Sequence, residues 1–133
     1  MKKTALIEMG KNGKFTIFTP DIESVIIGDG DTVEEAKADF ENSIKEIIDS
    51  YVETNQPIPN ELQDIDFQYK YDVASFLNYN KYLNMTKFAT YAGINPSLMR
   101  QYKKGQYISS RQVSKIQTAI HKIGKELVAV QLI

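Results

Sequence analysis

The chain has no cysteine and no tryptophan, one histidine and four prolines in 133 residues. Without cysteine it forms no disulfide and no thiolate metal site, which fits a reducing compartment; the expected location is the cytoplasm. A single histidine, His121, leaves zinc chemistry and a Ser-His-Asp arrangement without support. It falls beside an apolar helical stripe and reads as a surface or packing residue. No apolar run is long enough to span a membrane, and the opening MKKTALIEMG lacks a signal-peptide core. Repeats and low-complexity tracts are also missing. No cofactor, no metal and no catalysis are expected.

Charge is plentiful and unevenly placed. The net charge of −1 hides a polarised chain. Residues 1–71 hold 7 lysines against 15 acidic residues, a net −8, whereas residues 72–133 hold 9 basic residues against Asp72 and Glu126, a net +7. A basic half suits a polyanion, and an acidic half repels one. The length allows two small domains. The expected division is 1–71 and 72–133, each with its own kind of partner.

In the first half, Thr4 to Met9 alternates as a strand, and Gly10-Lys11-Asn12-Gly13 is a hairpin turn. Phe15 to Thr19 is the second strand and Val25 to Gly28 the third, with Asp29-Gly30-Asp31 as a turn. Thr32 then caps a helix, with Glu35 as its capping-box partner. Val33, Ala36, Phe40, Ile44, Ile47, Ile48, Tyr51 and Val52 follow at steps of three and four, and the helix ends near Thr54. Ile65, Phe67, Tyr69 and Tyr71 alternate with polar residues as a fourth strand. The class is α+β: a small antiparallel β-β-β-α-β sheet with a helix across one face.

The second half is helical. Asp72 opens a short helix holding Val73, Phe76 and Leu77. Met85, Phe88, Ala89 and Ala92 share a face of the next helix, which Gly93 ends. Ile94 is the plug. Asn95 caps a further helix, Pro96 takes its first position and Gly105 stops it after Lys104. Leu98, Met99 and Tyr102 fall inward; Ser97, Arg100, Gln101 and Lys104 form one outward stripe. Many surface helices carry a polar face. This one stands between a turn glycine, an Asn-Pro start and a glycine stop, and its residue types suit a major groove. Arginine pairs with guanine, glutamine with adenine and lysine with phosphate. Ser97, Arg100 and Gln101 are expected on base edges. Lys104, Thr86 and Lys87 are expected on phosphate, the last two at a helix N-terminus. Ser109 and Gln112 make a second capping box, Val113, Ile116, Ile120 and Ile123 a stripe, and Gly124 an end. Leu127 to Ile133 reads as a C-terminal strand that pairs within the chain or across a dimer. Tyr79, Tyr82, Tyr91 and Tyr107 are expected to pack; Lys115, Lys122 and Lys125 are expected to be solvated.

The block from Met85 to Ile116 resembles a helix-turn-helix of the Cro/repressor (XRE) type, with Gly93 and Gly105 at the family's spacing and Lys103 where the family commonly has Glu. The first half, over about Lys3 to Tyr71, resembles a HicB-type antitoxin. Phe18-Thr19-Pro20-Asp21, Gly30-Asp31-Thr32, Glu34-Glu35-Ala36 and Pro57-Ile58-Pro59 carry that likeness, with Thr19 inserted before the proline and Ser24 where a glycine is frequent. The resemblance implies a partial ribonuclease H-like fold and a HicA-type toxin, a small basic mRNA-cleaving ribonuclease, as partner. It also implies an operator duplex as the second partner. One recognition helix reads few bases, so a homodimer or higher homo-oligomer on an inverted repeat is expected.

The acidic half then masks a basic partner. Contact is expected at the open sheet edge and around Asp21, Glu23, Asp29 and Asp31. Glu8 is the one carboxylate placed toward a sheet interior. The residues leave open a one-component repressor whose first domain senses a small molecule or only makes dimers. A metal-dependent nuclease would need converging carboxylates, which the spacing does not supply.

Overall fold

Alternation in the first half produces strands β1 (Lys2–Met9), β2 (Phe15–Phe18), β3 (Ile27–Gly30) and β4 (Asp66–Tyr71), with helix α1 (Val33–Glu53) between the last two. The second half carries α2 (Val73–Tyr79), α3 (Met85–Ala92), α4 (Pro96–Lys103) and α5 (Ser110–Ala129). These elements come from a computed structural model that describes residues 2–133. Among the described residues, no helix is long and apolar enough to cross a membrane.

The sheet is mixed, which corrects the antiparallel expectation. Its order is β3-β2-β1-β4; β1–β2 and β2–β3 are antiparallel, and β4 lies parallel to β1. The reason is directional. Two hairpins leave β3 running with β1, and α1 then carries the chain back, so β4 must run with β1 as well. Periodicity identifies strands but does not choose their neighbours.

Ala5, Ile7, Phe15 and Ile17 meet Ala36 and Phe40 of α1 in the core of this unit, with Ile26 and Leu62. Phe40 meets the rings of Phe67 and Tyr69 edge-on at 5.1 and 6.1 Å. Strand β3 begins two residues later than expected, because its glycines are needed under the helix. A Cβ on Gly28 would stand 2.3 Å from the Phe40 backbone nitrogen. Asp29, expected in a turn, is therefore in the strand. The Thr32 hydroxyl caps α1 through the Glu35 N–H (3.1 Å), while the Glu35 carboxylate accepts from the Asp31 N–H (3.0 Å).

Tyr69 ties β4 to α1. Its hydroxyl donates to Glu41 (3.1 Å), and the Lys37 ammonium lies 4.7 Å from its ring centroid. Burial, then the hydrogen bond and charge of Glu41, push its phenol from the ordinary 10.0 up to about 12. The folded value lies above the unfolded one. This contribution to stability is therefore whole below pH 10 and is lost as pH rises toward 12. A tyrosinate absorbance titration should show a component at about pH 12, and Tyr69→Phe should remove it.

The chain divides into two compact units, residues up to Ser75 and Phe76–Ile133. This boundary falls after the expected 71/72. Asp72 donates its N–H to the Ile7 carbonyl (3.0 Å), and the Ser75 hydroxyl accepts from the Met9 N–H (2.9 Å), holding both residues to β1. In the second unit Leu77, Phe88, Ala89, Ile94, Met99, Tyr102, Ile116 and Ala119 are buried. Helix α5 passes through Gly124 and ends at Ala129, so the expected stop at 124 and the expected C-terminal strand are both absent from the single chain. Gly124 does not adopt a left-handed φ, the conformation that would have ended the helix.

Candidate nucleic-acid interface

Local chemistry fixes the two central helices of the second unit. Asn84 caps α3 by accepting from the Lys87 N–H (3.0 Å), and Gly93 ends it at φ 74°. Asn95 caps α4 by accepting from the N–H groups of Ser97 (2.8 Å) and Leu98 (3.4 Å), with Pro96 in the first turn. Gly105, at φ 95°, turns the chain away after the Lys104 cap. Met99 and Tyr102 anchor the inner face of α4, and the Tyr102 hydroxyl accepts from the Gln112 amide (3.3 Å). That use of the Gln112 side chain leaves only half of the expected capping box, the Ser109 hydroxyl accepting from the Gln112 N–H (3.3 Å).

With its inner face fixed, α4 presents Ser97, Arg100, Gln101 and Lys104 on one exposed stripe. The Arg100 guanidinium reaches the Thr86 hydroxyl on α3 at 3.4 Å and the Ser97 hydroxyl at 3.5 Å. Three of the six expected nucleic-acid residues are thus brought together, and Gln101 and Lys104 lie beside them. Lys87 is exposed on the first turn of α3. Its backbone N–H is already taken by Asn84, so its ammonium is the group left for a phosphate.

Among the described residues, no lysine or arginine of this unit is ion-paired; the one ion pair, Lys14–Asp31 at 3.6 Å, lies in the acidic unit. Lys122 lies over the Tyr91 ring (5.4 Å), and the Tyr91 hydroxyl donates to Glu126 (3.2 Å). The positive field of the unit is therefore largely uncompensated. The four tyrosines expected to pack are exposed instead, Tyr107 most of all at 89%. Tyr107 stands in the loop after α4 and outside any helical stripe. That position was the available signal that it faces outward.

The acidic residues do not form the single group expected. Asp29 lies on β3, where its carboxylate accepts from Thr16 (2.8 Å), and Asp31 follows at the same end, paired with Lys14. Asp21 and Glu23 lie in the loop that joins β2 to β3 at the opposite end of that hairpin. Glu61 holds this loop by accepting from the N–H groups of Glu23 (3.2 Å) and Ser24 (3.0 Å) and from the Ser24 hydroxyl. The Ser24 hydroxyl is the main reason its carboxyl sits below the usual 4.5. Glu8 is exposed, in register with Thr16 and Asp29, and does not face the interior. Among the described residues, no three His, Asp or Glu side chains gather as a metal site.

The two sheet edges differ. The outer edge of β3 is occupied by α1 side chains, since Asp39 accepts from the Asp29 N–H (2.9 Å) and Ser43 donates to the Ile27 carbonyl (2.9 Å). On β4, Asp72 bonds inward to β1, so alternation directs the backbone groups of Phe67 and Tyr69 outward. Comparison with family models, curated proteins and solved structures finds no match for the chain.

Proposed function

We propose that the chain is an antitoxin and transcriptional repressor. Its acidic unit neutralises a small basic HicA-type toxin, and its basic unit binds operator duplex as a helix-turn-helix. The observation that carries the reading is the exposed Ser97-Arg100-Gln101-Lys104 stripe on α4, joined to Thr86 of α3 through Arg100. A rigid helix with its inner face locked by Met99 and Tyr102 suits a major groove, and Arg100 and Gln101 are the side chains for base edges. Lys87 and Lys104 would position the helix on phosphate.

For the acidic unit, the net −8 of residues 1–71, which Asp72 extends, supports a cationic partner. The open edge of β4 supports strand addition or side-chain contact there more than at β3, whose edge α1 closes. Two acidic pairs at opposite ends of the β2–β3 hairpin give a basic protein two separate charged contacts. The assembly proposed is a homodimer or higher homo-oligomer on an inverted repeat.

The test has two arms. Selection of full-length chain on a random duplex library should enrich an inverted repeat. Co-expression with a small basic protein encoded beside the gene, followed by pull-down, should recover a complex that no longer cleaves RNA. Failure to enrich any duplex would remove the repressor role, and failure to retain such a protein the antitoxin role.

A further inference from the structure

Strand β4 closes one side of the sheet with little to guard its edge. It holds no proline, and its ladder to β1 runs from Asp66 to Tyr71 without a bulge. The main-chain groups of Phe67 and Tyr69 point away from β1, and among the described residues no hydrogen bond from another element engages them. Their rings lie on the α1 side, where both meet Phe40 yet stay only half-buried. On the opposite face Asp66, Gln68 and Lys70 are exposed. Lys2 stands beside Asp66 in register, but among the described residues neither Asp66 nor Lys70 is ion-paired.

We infer that β4 pairs antiparallel with β4 of a second copy about a two-fold axis at Gln68, joining two four-stranded sheets edge to edge. The inference deepens the proposed homo-oligomer and rests on the repressor reading for its purpose, since the pairing would hold two α4 helices in one assembly. Symmetry and charge select the register. A two-fold axis normal to the sheet keeps every side chain on its own face, so the residue on the axis must oppose its own copy. Centring on Gln68 sets Asp66 against Lys70 of the second copy, and Lys70 against Asp66 of the second copy. Phe67 then opposes Tyr69 of the second copy, an aromatic cross-strand pair made twice. Both are residues whose main-chain groups face outward, so they exchange the N–H to C=O bonds of a hydrogen-bonded pair. The neighbouring registers are worse. Centring on Tyr69 sets Asp66 against Asp72 of the second copy, and centring on Lys70 opposes two lysines. Centring on Phe67 brings in Asp64, whose φ of 52° is not a strand conformation. A basic partner adding to this edge would displace the second copy, so the two occupants are exclusive.

The test uses the full chain alone, without DNA or a basic partner. Sedimentation equilibrium should give twice 15.2 kDa or an even multiple of it. The chain lacks cysteine, so Gln68→Cys introduces a single thiol. Opposed residues of a non-hydrogen-bonded pair stand about 4.5 Å apart at Cα, within disulfide reach. Mild oxidation should therefore give a linked dimer on a non-reducing gel, while Thr4→Cys, one strand further in, should stay reduced. In the Gln68→Cys background, Lys70→Asp makes both charge pairs repulsive and should slow linking about tenfold. Adding Asp66→Lys should restore it. Asp66, Gln68 and Lys70 are exposed, so circular dichroism should be the same for all three chains. A monomeric wild-type chain overturns the inference. So does a Gln68→Cys thiol that stays reduced, or a linking rate indifferent to Lys70→Asp. A chain that passes these tests yet enriches no duplex leaves the paired edge standing and sinks the reading of α4.

Discussion

Gly28→Ala is expected to destabilise the acidic unit by at least about 3 kcal/mol, beyond the usual overpacking range of roughly 1–3. The added Cβ would lie 2.3 Å from the Phe40 nitrogen, 2.5 Å from its Cα and 2.6 Å from the Ala36 carbonyl oxygen. All three are α1 backbone atoms, so no side chain can rotate aside. The helix must lift, and with it goes the burial of Phe40 against Phe67 and Tyr69. The same substitution at Gly124 supplies the control. Nothing lies within 4 Å of a Cβ there, and the residue is inside α5. Gly124→Ala should instead add about 0.5–1 kcal/mol through helix propensity alone. Urea denaturation followed by circular dichroism reads both. Equal midpoints for the two variants would refute the close approach of α1 to β3.

Arg100→Ala should weaken binding to the selected duplex by roughly 1–3 kcal/mol, about five- to a hundred-and-fifty-fold, and relax preference at one base position. Its fold should be unaffected, because the side chain is exposed and its two contacts, to Thr86 and Ser97, are long. Lys104→Ala should act differently, weakening all sequences alike and lowering the salt dependence by about one unit per bound copy. Fluorescence anisotropy on the selected duplex and on a scrambled one separates these effects. Arg100→Ala with unchanged affinity for both would remove Arg100 from the interface.

What was legible in the sequence was local. Thr32, Asn95 and Ser109 each cap the helix assigned to them, because a cap depends on a side chain and an N–H two or three residues away. Gly93 and Gly105 take the left-handed φ that their turns demand. The stripe on α4 followed from 3.6-residue geometry. What was not legible was non-local. Whether β4 joins β1 or β3 depends on the path of α1, and the need for glycine at 28 comes from backbone twelve residues later. Grouping Asp21 and Glu23 with Asp29 and Asp31 ignored the length of the hairpin between them. Gly124 carries the residue type of a helix end without the dihedral, so composition alone misplaced that boundary. The Arg100–Thr86 contact joins residues on separate helices, and no spacing rule exposes it.

The most direct test of the central claim is the salt dependence of duplex binding by the full chain, measured by anisotropy. If Lys87 and Lys104 of two copies each neutralise a phosphate, log K should fall with log salt at a slope of about −4, and Lys104→Ala should reduce it to about −2. Binding that is absent, or whose slope is indifferent to Lys87 and Lys104, would contradict the assignment of this surface to DNA.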